Sequence, residues 1–257
     1  MVNNIFAAAA TMETRFVISG IIWAAMMGLI AGNYASSLIH RLPRGKSLLE
    51  KAAHCGSCGT LLQVRDLFPV FSATLLGHRC RYCGTSFPSI YTLIEVLLGL
   101  IFVPMFLQFG FGDVFVLVGI ISTFFVIIAA IEINDNVLSG KAMVIAAIAG
   151  MLLRTHVDGQ LFHFVLGGLF GAIAGALIWR KSITKVGHIY KLPKQAELMV
   201  TAGICVGSDA FIKFLVLLAA ASIITWVVAR IANRKFLISV PFAVSVIVVL
   251  IFGNVSF

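Results

Sequence analysis

Eight apolar runs, at approximately residues 16–39, 89–108, 113–131, 142–153, 161–179, 196–208, 210–229 and 236–254, restrict this chain to few folds. A helix rises about 1.5 Å per residue, so about 20 apolar residues carry it across a hydrocarbon core about 30 Å thick. In that medium only helices and closed barrels satisfy their own backbone hydrogen bonds, and continuous runs of this length read as helices. Composition agrees, with 60% hydrophobic and 11% charged residues against roughly 25% charged in soluble domains. The expected fold is an all-α polytopic membrane protein of about eight transmembrane helices. The fourth and sixth runs are short, which suits helices that are broken or extend into polar flanks. The run from Val17 to Ile30 follows Glu13 and precedes no small-residue cleavage site, so a retained first helix is expected. No repeat of fixed period and no low-complexity tract occurs.

Charge sets the expected orientation. With the loop after the first run in the cytoplasm, sixteen of the 19 basic residues fall on that side, and only Arg15, Arg154 and Lys213 fall outside. This satisfies the positive-inside rule and leaves both termini exterior. The net charge of +9 is therefore spread over short loops between apolar runs. A continuous basic face for nucleic acid is not expected; the lipid bilayer is the expected partner. The resulting divisions are 1–39, an external N-terminus and first helix; 40–88, a cytoplasmic insert; and 89–257, a bundle of about seven helices.

Four of the five cysteines lie in that insert, as Cys55-Gly-Ser-Cys58-Gly59 and Cys80-Arg-Tyr-Cys83-Gly84. Two thiolates three positions apart on a tight turn reach one ion, and glycine permits the positive φ that such a turn needs. Two such turns complete a tetrahedral shell of four sulfurs, with no position open for water, so a structural zinc ion is expected. Two disulfides or free thiols are the alternative, which the reducing cytoplasm disfavours for disulfides. His54 and His78 flank the pairs as substitute ligands or solvated neighbours. Cys205, inside an apolar run, reads as a small buried side chain.

The stretch Gly32-Asn33-Tyr34-Ala35-Ser36-Ser37-Leu38-Ile39-His40-Arg41-Leu42-Pro43-Arg44-Gly45 resembles the exit from the first helix of bacterial type IV prepilin leader peptidases/N-methyltransferases. The similarity continues through both cysteine pairs, Asp66-Leu67-Phe68-Pro69-Val70, the Glu95 of Leu93-Ile94-Glu95-Val96, and Ser239-Val240-Pro241-Phe242 near the end. It is most specific over residues 32–99. The resemblance implies an inner-membrane aspartic peptidase that clips the leader from type IV pilin-like precursors at its cytoplasmic face. It also implies methylation of the new amino terminus with S-adenosylmethionine, and pilus or secretion assembly proteins as partners.

The peptidase chemistry of that family uses two aspartates, one activating water and the other managing the leaving amine. The matching stretch for the first is Ile131-Glu132-Ile133-Asn134-Asp135, which sets Glu132 in the aspartate position, one methylene longer, with Asp135 a turn away. The second falls on Lys194-Gln195-Ala196-Glu197, which sets Gln195 in the acid position. Glutamine neither ionises nor donates a carboxyl proton, so Glu197 is the expected partner of Glu132. Asp209 is a rival acid, expected across the membrane from Glu132. Alternatively, Glu132, Asp135 and Glu197 are solvated charges at helix ends.

Three functions thus stand open: a prepilin peptidase, with or without methyl transfer; a non-proteolytic homologue that binds pilins or only methylates them; and a small-molecule transporter. The transporter is disfavoured because few ionisable residues fall near mid-span. Glu95 and His163, close to apolar faces, are the exceptions, and a hydrogen bond within the bundle is expected for His163.

Overall fold

The computed structural model describes residues 2–45, 55, 57–61, 63, 77, 79–86, 88–158, 162–179, 184–186, 189–191, 193–233 and 235–253. Among them are seven helices: α1 (Val2–Arg41), α2 (Ile90–Phe109), α3 (Asp113–Asp135), α4 (Gly140–Asp158), α5 (Phe162–Ile178), α6 (Lys194–Ile231) and α7 (Ser239–Phe252). Between α5 and α6, strands β1 (Thr184–Val186) and β2 (Ile189–Lys191) form a short antiparallel hairpin in which Lys185 pairs with Tyr190. Four segments are long and apolar enough to cross a membrane: Thr14–Arg41, Ile90–Phe109, Asp113–Asp135 and Lys194–Ile231. The α5 and α7 helices are apolar but shorter.

The sixth and seventh runs meet within α6, a stretch of 38 residues made of two helices joined across a kink, so the expected count of about eight holds when the halves are counted separately. Such a stretch is about 57 Å long, nearly twice the hydrocarbon thickness. It is broken at one residue, Gly207, with φ 76° and ψ 174°. Because a single glycine absorbs the change, helical hydrogen bonding resumes at once on the far side.

The break strips carbonyls of their partners one turn on, and a buried arginine replaces them. Arg154 of α4 is 1% exposed; its Nε donates to the Cys205 carbonyl at 3.2 Å, and its Nη2 to the Val206 carbonyl. A cation at the C-terminal end of the first half-helix also opposes that end's partial negative charge. A Cβ on Gly207 would stand 3.0 Å from Arg154 Nε and would carry a left-handed φ.

The chain divides into two compact units, Met1–Ser37 with Lys51–Phe115, and Leu38–Glu50 with Val116–Phe257. In the first, α1 and α2 run antiparallel and touch through glycines. A Cβ at Gly28 would meet Gly99 Cα at 2.8 Å, and one at Gly32 would meet Glu95 Cα at 2.5 Å. The buried Glu95 accepts a hydrogen bond from Asn33 Nδ2 at 3.0 Å, which provides for a carboxyl inside an apolar pair.

In the second unit, Gly167, Gly171 and Gly175 line one face of α5 against Gly203, Met199 and Ala196 of α6. A Cβ at Gly171 would stand 2.5 Å from the Met199 carbonyl oxygen. Without a hydrophobic driving force between helices in lipid, such backbone approach is what holds them together. Cys205 is fully buried, 3.3 Å from the Ala146 carbonyl, and fits the expected small packing residue.

Candidate metal centre and carboxylate region

The two cysteine pairs form copies of one turn. In the first, Cys55 N–H donates to the Thr60 carbonyl at 3.0 Å and Gly59 N–H to the Cys55 carbonyl at 2.9 Å. In the second, Cys80 N–H donates to the Thr85 carbonyl at 2.8 Å and Gly84 N–H to the Cys80 carbonyl at 2.9 Å. Gly59 and Gly84 take φ values of 71° and 73°, the conformation the motif requires. In each turn the threonine hydroxyl stands 3.3 Å from the second sulfur, Thr60 from Cys58 and Thr85 from Cys83.

These turns bring all four Sγ atoms within 4.8 Å of one another. Sulfurs bound tetrahedrally at about 2.3 Å stand about 3.8 Å apart, and Cys55 Sγ and Cys83 Sγ are separated by 3.8 Å. The donor set therefore fits a metal ion of that size and geometry. Cys55 and Cys80 are buried while Cys58 and Cys83 are exposed. The Thr85 hydroxyl, followed by the Thr85 backbone, holds the Cys83 thiol down to about 6. Backbone N–H groups of Cys58 and Ser57 lower Cys55. Both shifts favour the thiolate, the form that ligates metal. His54 and His78 lie outside the described residues, as do Lys46, Lys51, Arg65, Arg180, Lys181 and Arg234 of the charge pattern.

In the second unit, Glu132 sits at the end of α3, where Asn136 takes φ 54° and returns its N–H to the Glu132 carbonyl at 3.0 Å. Its carboxylate reaches the start of α7. Oε1 accepts the Ile238 N–H at 3.3 Å, and Oε2 accepts the Ser239 N–H at 2.7 Å together with the Ser239 hydroxyl. A carboxylate placed there satisfies N–H groups that a helix start leaves without partners, and it complements the positive end of the helix. Asp135 is exposed.

Glu197, in the first turn of α6, pairs instead with Lys194 Nζ at 2.8 Å, and its side chain is 35% exposed. Gln195 beside it is half-buried. Each carboxylate is thus engaged with its own partner. Asp209, by contrast, lies about 18 Å of helix rise from Glu197 and meets His163 Nδ1 at 3.2 Å. His163 Nδ1 also stands 3.0 Å from the Ser208 hydroxyl, the hydrogen bond expected for it.

Four partners were not anticipated from sequence. Thr60 and Thr85 were readable, because the repeated unit extends to Cys-x-x-Cys-Gly-Thr in both copies. Arg154 follows the fourth apolar run directly and was expected as an outer loop charge, whereas it lies within α4 and is buried. Nothing in the sequence linked Ser239 to Glu132, 107 positions apart.

Residues 26–109 match the family model described as the Bacterial Peptidase A24 N-terminal domain. A prepilin leader peptidase/N-methyltransferase of Myxococcus xanthus (strain DK1622) is 28% identical over 155 residues, 60% of this chain and 45% of that protein. This chain thus matches less than half the length of that relative. One of Vibrio cholerae (serotype O1) is 26% identical over 242 residues, 87% of this chain and 91% of the relative. One of Neisseria gonorrhoeae is 25% identical over 194 residues, 66% of this chain and 65% of the relative. No solved structure matches. By these matches the chain is similar to prepilin leader peptidase/N-methyltransferases, with the A24 N-terminal match lying over residues 26–109.

Proposed function

We propose that this protein acts on type IV pilin-like precursors in a bacterial inner membrane, as a prepilin-peptidase-like protein. The observation that carries the proposal is the similarity to the Vibrio cholerae relative over 87% of this chain and 91% of that one. Positive-inside counting supports an orientation with the cysteine turns, Glu132 and Glu197 on the cytoplasmic side. The metal is zinc, held by Cys55, Cys58, Cys80 and Cys83 in a structural role, since four sulfurs leave no open coordination site. Within the same proposal Glu132 and Glu197 are the acid pair, with Asp135 and Gln195 adjacent to them. S-adenosylmethionine is the co-substrate of an accompanying amino-terminal methylation. The test is incubation of the purified protein in lipid with a pilin-like precursor, read by mass spectrometry. Cleavage after the leader, abolished by Glu132→Gln, is the expected result. An intact precursor, under conditions where a two-aspartate relative cuts, refutes proteolysis.

A second reading is favoured by the partners of the two carboxylates. Glu132 is committed to the start of α7, and Glu197 to Lys194. A homologue that binds or methylates pilin-like chains without cutting them needs neither carboxylate free. In the same assay it leaves the precursor uncut while retaining or methylating it.

A further inference from the structure

One groove in the second unit serves neither the metal centre nor the carboxylate region. It lies between the second half of α6 and the end of α7, lined by Lys213, Leu217, Val248, Val249, Phe252 and Gly253, with a volume of about 300 Å³. That volume is at the low end for a site holding a small organic ligand. The groove opens at the end of α7 away from Glu132. Ser239 at the helix start meets Glu132, whereas Lys213 Nζ donates to the Gly253 carbonyl at 2.6 Å. The 14 residues of α7 separate these two contacts by about 21 Å, most of a hydrocarbon thickness.

The chemistry of the groove is divided. Its walls are aliphatic and aromatic, with Phe252 63% exposed at the rim. Its one charge is Lys213, whose ammonium has three donors, of which Gly253 takes one. Asp209, one turn earlier on the same helix, is held by His163 and Ser208. Ile212 and Val216 flank Lys213 along α6 and are 75% and 65% exposed, as suits a helix bathed in lipid. A cation at the edge of an apolar groove, on a lipid-facing helix, matches an amphiphile with an anionic head and a hydrocarbon tail.

We infer that this groove holds one anionic phospholipid, its phosphate on Lys213 and the upper part of an acyl chain along Leu217, Val248, Val249 and Phe252. A lysine near an anionic headgroup contributes roughly a fivefold preference over a zwitterionic lipid.

The test is native mass spectrometry of the full-length protein, titrated with phosphatidylglycerol and, separately, with phosphatidylcholine of the same chains. The expected result is one retained phosphatidylglycerol at about fivefold higher occupancy, kept by Lys213→Arg and lost by Lys213→Gln. Val248→Trp, which fills the groove and leaves the charge in place, lowers occupancy of both lipids and carries the test if Lys213→Gln fails to fold. Equal retention of the two lipids by the wild type overturns the inference, as does an unchanged preference in Lys213→Gln. Displacement of phosphatidylglycerol by equimolar glycerol 3-phosphate also overturns it, because a bare anion site has no use for the groove.

Discussion

At Glu132 the more conservative replacement is expected to do more damage. The carboxylate spans from α3 to the start of α7, where Ser239 is 1% exposed and donates both its N–H and its hydroxyl. Glu132→Asp retracts the carboxylate by one carbon–carbon bond, about 1.5 Å. The 2.7 Å contact to Ser239 N–H then opens to about 4 Å, beyond hydrogen-bonding reach. Two buried donors are left without partners, a destabilisation of about 2–3 kcal/mol in total. Glu132→Gln keeps the reach and one accepting oxygen but loses the charge, which amounts to about 1–2 kcal/mol. At about 2–4 °C per kcal/mol for a chain of this size, thermal unfolding in detergent should drop by roughly 4–12 °C for aspartate and roughly 2–8 °C for glutamine. Wild-type stability in Glu132→Asp, with a lower midpoint in Glu132→Gln, would show that charge rather than reach joins α3 to α7, and the reasoning would fail.

Cys80→Ser removes a buried ligand and should reduce bound zinc, measured by elemental analysis of the purified protein, from one equivalent to near none. The Thr85 hydroxyl holds the Cys83 thiol down and so favours its ligating form, metal retention should fall as the pH is lowered, and Thr85→Val should move the release midpoint to higher pH in a zinc-indicator titration. Gly171→Leu forces a side chain onto the Met199 carbonyl and should abolish a stable fold, seen as aggregation on size-exclusion chromatography, whereas Gly112→Ala, with nothing within 4 Å, should not. Arg154→Met leaves the Cys205 and Val206 carbonyls without their buried donor and should destabilise by about 2–5 kcal/mol, with faster hydrogen exchange confined to residues flanking Gly207.

The helical membrane fold was legible because apolar length is set by bilayer thickness, and that signal survives in any single sequence. The four-cysteine cluster was legible because its cysteines lie in two local turns, each spelled out within six residues. What could not be read was non-local. Glu132 and Ser239 meet only because the end of α3 lies beside the start of α7, and one sequence carries no record of that pairing. The same limit applies to Asn33 with Glu95, and to Arg154 at Gly207. The separation of the sixth and seventh runs was anticipated within two residues. Its form, a kink at a single glycine, depended on a donor supplied from α4.

The near-identity of the two cysteine turns bears on how this protein can change over time. Each turn closes on its own backbone bonds and its own threonine, so ligand geometry is encoded twice and locally. A single substitution within either six-residue turn acts on the shared four-sulfur cluster, and selection should treat the two turns as one unit.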